Sequence, residues 1–253
     1  MKISLASSIN SFNNKPCAEN ISAVVSDRKI INHKSLIAIK DEDGALLLDQ
    51  EQYPRPQTTA ETLAGLKPAF EGFFDRQIDP DGTTYGQLIR QVYPDLDIHY
   101  MHTAATSSGV VDGAGALLLT SPAYARAHGL KPRARVRSVA TVGSDPTLML
   151  NGPVPAAELA LSKAGMKIGD IDLFEVNEAF AVVPAKFMRD LNLDPEKVNV
   201  NGGAMALGHP IGATGAILTG TLLDEMERQD KSTGLVTMCA AGGLAPVAII
   251  ERI

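Results

Sequence analysis

Cysteine is scarce in this sequence: Cys17 and Cys239 are the only two in 253 residues, and they stand far apart. So sparse a set builds no disulfide framework, and no Cys/His cluster has the spacing of a zinc site. A reducing compartment is the expectation that follows. An excess of basic charge is lacking too. The 23 Lys and Arg against 29 Asp and Glu leave a formal charge of −6, which argues against a general nucleic-acid binder. No apolar run is long enough to span a bilayer. The start, MKISLASSINSF, holds one lysine and a short apolar region diluted by serine and asparagine, and does not read as a signal peptide. A cytoplasmic protein without membrane or nucleic-acid partners is expected. Short-period repeats are also missing. What is present is 45% hydrophobic and 21% charged, a balance that can bury a real core in one large domain or two small ones.

Residues 1–35 carry no clear period, and Cys17 sits in NKPCAEN without a glycine floor or a nearby histidine, so it reads as an incidental thiol. LIAIK (36–40), DEDG (41–44) and ALLLD (45–49) read as strand, turn and strand, a candidate hairpin. YPRPQTT (53–59) is a stiff connector, and Thr58 or Thr59 can cap a helix over AETLAGLKPAF (60–70). Glycines, prolines and scattered aromatics from Glu71 to Asp97 suggest a long surface excursion. The character changes at Thr103. After TAATSSG (103–109), the segment 110–129 reads as a buried apolar run and then a helix that ends at His128 and Gly129. ARVRSVATVGS (134–144) alternates like a strand, with Arg133, Arg135 and Arg137 on a solvated face. PVPAAELALSKAGM (153–166) is a helix with proline at its start and glycine at its end. IDLFEVNEAFA (171–181) turns from strand to helix, and the chain closes on two apolar strands around the small-residue turn in 234–253. Strands alternating with helices, then a terminal strand pair, predict an α/β layered domain.

The centre of the chain is NVNGGAMALGHPIGATGA (199–216). It holds Gly202, Gly203, Gly208, Gly212 and Gly215, with His209 followed by Pro210. Glycines allow sharp turns and close approach, while the proline keeps His209 extended on a stiff loop. The text beyond Gly212 has helical spacing, so the loop feeds a helix start. Three strand-to-turn junctions, 174–180, 201–212 and 238–243, fall at the carboxyl ends of predicted strands, where α/β sheets gather ligands. They carry Asn177 and Glu178, then His209, then Cys239. An amide can hold a water or a carbonyl oxygen, and an imidazole can donate to an oxyanion or accept a proton. Cys239 stands before Ala240, Ala241, Gly242 and Gly243, whose backbone N–H groups could lower its pKa and form an oxyanion hole. Separately these are a capping asparagine, a satisfied histidine and a buried thiol. Together they describe carbon-acid or acyl chemistry.

NEAFA (177–181), the 199–216 stretch and MCAAGG (238–243) with the terminal IIERI resemble, in order and spacing, the three C-terminal signatures of the thiolases. SSGVVDGAGALLL (107–119) and LKPRARV (130–136) are similar to the start of that family's C-terminal half. The resemblance covers roughly residues 36–253 and is most specific over 103–253. It implies a thiolase-like layered α/β C-terminal domain over 104–253, preceded over 1–103 by an N-terminal segment and part of the loop domain that covers bound coenzyme A. It further implies an acyl-CoA acyltransferase acting on acyl-CoA, with coenzyme A as substrate and no permanently bound cofactor or metal. Asn177 and His209 would hold the thioester oxygen of the second acyl group, the first through a water and the second directly. Cys239 would move the α-proton and protonate the leaving carbon, and the Ala241 N–H would form half of a second oxyanion hole. Ser108 and Gly109 would line the pantetheine tunnel with Phe180 beside it, and Glu178 would support the loop.

Two departures from the pattern matter. The family's nucleophilic cysteine lies in an N-terminal half that this sequence does not carry, and Cys17 does not match its context. CAAGGLAP also departs from the usual three glycines after the second cysteine, so the Ala241 methyl could crowd substrate. Without the nucleophile, acyl transfer through a covalent intermediate has no first step. A half alone would expose the apolar face that packs on the other half. The expected partner is therefore a thiolase N-terminal half or a thiolase subunit, with a homo-oligomer open. A catalytically inactive coenzyme A-binding or interaction module is the alternative, and a phosphate-binding protein using Gly208–Gly215 is a weaker third, since that loop lacks a Walker lysine. Pro246, which has no N–H to give, is expected at a sheet edge or bulge.

Overall fold

The computed structural model describes residues 39–48 and 53–253; Cys17 lies outside them. The first hairpin is present within that range. β1 (Ile39–Lys40) pairs antiparallel with β2 (Leu46–Leu48), and the Asp41 carboxylate accepts from the Asp43 and Ala45 N–H groups to make the turn. α1 (Ala60–Ala64) begins where the Thr59 hydroxyl accepts from the Thr62 N–H at 3.3 Å. It ends at Gly65, well short of the expected 60–70, because glycine weakens a helix interior and Pro68 cannot continue one. The excursion over 71–97 has more order than its composition suggested. It contains a 3-10 turn at Phe73–Asp75 and α2 (Tyr85–Val92), the latter capped by Thr84.

From α3 (Pro122–Ala127) onward the chain forms a layered α/β unit. Its sheet runs β3 (Ala134–Gly143), β6 (Leu244–Arg252), β5 (Thr233–Thr237), β4 (Leu173–Val176), with β4 and β5 parallel and the other pairs antiparallel. α4 (Pro153–Ala164) and α5 (Val182–Leu191) cover one face. There Ala156, Ala157 and Ala160 let the helix approach Val247 and Ile249 closely, and Phe174 meets Phe187 edge-on at 6.2 Å. α7 (Thr214–Arg228) covers the other face, with Leu218, Leu222 and Met226 on Leu173, Val236 and Ile250. Strands covered on both faces read as continuous apolar runs, which is why LFEV and GLVT lack alternation. Gly234 permits the close fit, since a Cβ there would fall 2.7 Å from Leu222 and Met226.

Arg133, Arg135 and Arg137 are on the surface as expected, and each is ion-paired: Arg133 with Asp224 and Glu227, the other two with Glu251. Arg135 and Arg137, two residues apart on one face of β3, reach the same carboxylate. Two expectations are corrected. Pro246 is in β6, an interior strand, paired with Thr141 of β3. Its carbonyl accepts the Thr237 hydroxyl at 2.9 Å, so its nitrogen faces the β5 side too, one step past the last β5 pair, Thr237 with Val247. No ladder bond is lost.

The apolar run over 110–119 is not buried. Val110 is 88% exposed, Leu118 78% and Leu119 75%. The segment crosses the start of α7, with Gly113 against Pro210 and Gly115 against Ala216 and Ile217. Among the described residues, its backbone makes no backbone hydrogen bond. No helix there is long and apolar enough to cross a membrane.

Candidate active site

Two of the three junctions meet directly. β4 delivers Asn177, which is 1% exposed and whose N–H donates to the Thr237 carbonyl of β5 at 3.0 Å. α6 (Ala204–Leu207) and Gly208 deliver His209, whose N–H donates to the Gly109 carbonyl at 2.8 Å. Asn177 Nδ2 and His209 Nε2 then lie 3.3 Å apart. The Thr214 hydroxyl donates to the Pro210 carbonyl (2.9 Å) and accepts from His209 Nδ1 (2.7 Å), which leaves the Nε2 lone pair toward Asn177. Burial lowers the His209 pKa and keeps the ring neutral at pH 7. Among the described residues Asn177 Oδ1 is a buried acceptor with no partner, an arrangement that suits a ligand or water donor.

Cys239 follows β5 by two residues, so its turn starts beside the Asn177 backbone. Its side chain is half-buried and packs on the larger core, as does Phe180. The expectation that neighbouring N–H groups lower its pKa is corrected. Burial pushes the thiol up, and its own backbone N–H only partly offsets this, so the thiol form prevails at neutral pH. The Ala240 N–H is committed to the Leu244 carbonyl (2.7 Å), and exposed Ala241 opens the 3-10 turn Ala241–Gly243, where the leading N–H groups have no intrahelical acceptor.

The third wall is the 103–109 segment. The Ser108 N–H donates to the Ala179 carbonyl and the Ala181 N–H to the Thr106 carbonyl, which places Ser108, Gly109 and Phe180 side by side. A Cβ on Gly109 would strike the Tyr53 ring, 2.1 Å from its hydroxyl. Phe180 also touches His102 and Phe70, with ring centroids 5.0 and 5.8 Å away. The sequence pattern assigns no role to Thr214, Tyr53, His102 or Phe70. Thr214, five residues after His209, was within reach of a helix-start inspection; the others depend on contacts that spacing does not reveal.

His102 and His209 are both lowered by burial, so unfolding lets them bind protons. Their neutral forms contribute stability that is complete above the ordinary value of 6.5 and drains as pH falls through it and then through the folded values. Buried Glu178, raised by burial, acts with the opposite sign, so the His209 share is read as the difference between wild type and the His209 variant. The urea midpoint should therefore fall between about pH 7.5 and 5.5, and fall less in His209→Gln. An equal fall in both would remove His209 from this account.

Residues 130–252 match the family described as "Thiolase, C-terminal domain". This part of the chain is a thiolase C-terminal domain. The 3-ketoacyl-CoA thiolase of Klebsiella pneumoniae subsp. pneumoniae is 47% identical over 217 residues, covering 84% of this chain and 50% of the relative. That of Cronobacter sakazakii is 46% identical with the same coverage. The acetyl-CoA acetyltransferase of Bacillus anthracis superposes with a TM-score of 0.76 at 34% identity, over 94% of this chain and 54% of that one. Human mitochondrial 3-ketoacyl-CoA thiolase gives 0.72 and 33%, over 93% and 53%. The chain spans about half the length of the curated relatives it matches.

Proposed function

We propose that this chain supplies the acid/base and oxyanion-binding half of a thiolase-type acyl-CoA acyltransferase, completed by a thiolase N-terminal half that carries the nucleophilic cysteine. The observation that carries this reading is the 3.3 Å meeting of Asn177 and His209 at the carboxyl end of β4, beside the turn that bears Cys239. In the cleavage direction the thiolate of that N-terminal half attacks the 3-keto carbon of a 3-ketoacyl-CoA. The bond between carbons 2 and 3 breaks, and its electron pair goes to the acetyl-CoA enolate. His209 donates to the enolate oxygen directly, and Asn177 Oδ1 accepts from a water whose other hydrogen points to that oxygen. His209 makes this donation as its Nε2–H tautomer: the ring releases the Nδ1 proton to solvent water and takes one up at Nε2, while the Thr214 hydroxyl turns from the Pro210 carbonyl to donate to Nδ1. The raised pKa suits Cys239 to this direction, since a protonated thiol can give its proton to the leaving carbon. Coenzyme A then releases the acyl group, and Ser108, Gly109 and Phe180 guide its pantetheine arm. Coenzyme A is a substrate here and not a resident cofactor.

The exposed strip over 110–119 supports a partner, because an apolar segment whose backbone makes no backbone hydrogen bond among the described residues is stabilised by another surface. A cytoplasmic assembly, either with a thiolase N-terminal half or within a homo-oligomer, fits it. The alternative reading is a catalytically inactive coenzyme A-binding or interaction module. Acetoacetyl-CoA thiolysis with free coenzyme A, by the chain alone and with a separately expressed thiolase N-terminal half, tests the reading. Turnover only in the mixture is expected. None in either, with coenzyme A still bound, would leave the inactive module. Turnover by the chain alone that Cys17→Ala abolishes would make the chain self-sufficient.

A further inference from the structure

We infer that Glu178 is a positioning residue for the Asn177–His209 pair, bolting the turn after β4 to the short helix that delivers His209. This rests on the reading of that pair as the oxyanion-binding groups. Glu178 is buried, and both of its oxygens accept: Oε1 from Asn199 Nδ2 at 2.9 Å and Oε2 from the Met205 N–H at 3.1 Å. Met205 is the second residue of α6, whose preceding residue, Gly203, offers no side chain to cap it. The carboxylate of a different loop therefore does the capping. Gly203 is flush against it, since a Cβ there would lie 2.3 Å from Glu178 Cδ.

Asn199 fixes the other end of the brace. Its Oδ1 accepts from the Val176 N–H (2.8 Å) and its Nδ2 donates to the Val176 carbonyl (2.9 Å), so the amide cannot turn over without losing both bonds. Its own N–H donates to the Phe174 carbonyl. Asn177 thus leaves a strand whose last residue is clamped by Asn199, and His209 leaves a helix whose first turn is clamped by Glu178. The two clamps share the Glu178–Asn199 bond. Any slip between the loops changes the Asn177–His209 distance.

Glu178→Gln tests this, because its NH2 must face a donor wherever it points. In the folded variant the Met205 amide should exchange with solvent about tenfold faster than in wild type. By NMR, the His209 titration midpoint should move up toward that of a solvated imidazole as the loop loosens. Gly203→Ala, which keeps the carboxylate and displaces it, should shift both readouts in the same directions. A merely structural glutamate would lower the melting temperature and leave the His209 midpoint where it was. An unmoved midpoint and unchanged Met205 exchange in either folded variant would overturn the inference. So would a wild-type Met205 amide that exchanges like an open loop, a measurement that needs no variant. If the midpoint moves yet no mixture cleaves acetoacetyl-CoA, Glu178 still positions the pair, and the function proposed for the pair is what fails.

Discussion

Cys239→Ala, mixed with a thiolase N-terminal half, is expected to lose acetoacetyl-CoA thiolysis by about 10³-fold, within the range that one positioned acid/base supplies. The substitution removes the only proton donor assigned to the leaving carbon, while the methyl keeps much of the half-buried packing. The thermal midpoint should move by less than about 4 °C, which separates lost chemistry from lost structure. A second readout needs no partner. With acetyl-CoA in heavy water, the wild-type chain should exchange α-hydrogens for deuterium slowly, and the variant should not. Retention of more than about a tenth of the thiolysis would assign the proton transfer to another group. Because burial raises the thiol, condensation has to remove a proton from Cys239 before it can act as base, and that direction should gain with pH over the alkaline side.

Gly243→Ala should destabilise the chain by about 3 kcal/mol, from left-handed strain and a backbone collision together. Gly243 has φ of +80°, and an added Cβ would sit 2.6 Å from the Ser144 carbonyl oxygen and 2.8 Å from that of Asp145. Neither is the end of a side chain that could swing aside. Its own carbonyl accepts the Ser144 N–H at 2.8 Å, so moving the turn breaks that bond as well. Gly242→Ala is the internal control. It has φ of +73° with nothing within 4 Å, so strain alone applies, about 1 kcal/mol. Urea unfolding of both variants decides: equal losses would mean that the collision is relieved, and that the 239–243 turn is softer than its contacts imply.

Some of this was legible from spacing alone and some could not be. α4 was visible because Pro153 starts it and Gly165, at φ of +66°, ends it. The sheet was visible because its strands are apolar and bounded by turn residues. The site residues were within reach because Asn177, His209 and Cys239 each follow a strand or close a glycine turn, positions that chemistry favours. What holds them was hidden. Glu178 to Asn199, His209 to Thr214 and Phe180 to His102 are contacts between loops, and no period in the sequence encodes them. Leu117, Leu118 and Leu119 misled for a physical reason: an apolar run signals something to be covered, and it is silent on whether the cover is intramolecular. The thiol of Cys239 misled because its glycine-rich sequence suggested exposed amides, while the packing of its side chain settles the charge.

The side chain of Asn199 has a consequence for how the molecule associates. By occupying both backbone groups of Val176, and with Val198 bridging Phe174 in parallel, it stands in for a fifth strand and seals the β4 margin of the sheet. Among the described residues, the margin of this sheet left for strand-to-strand growth is the far one, along β3. Arg135 and Arg137 there oppose a like-charged copy. A sheet with a single accessible margin can pair once and close; it has no second margin from which a fibre could propagate.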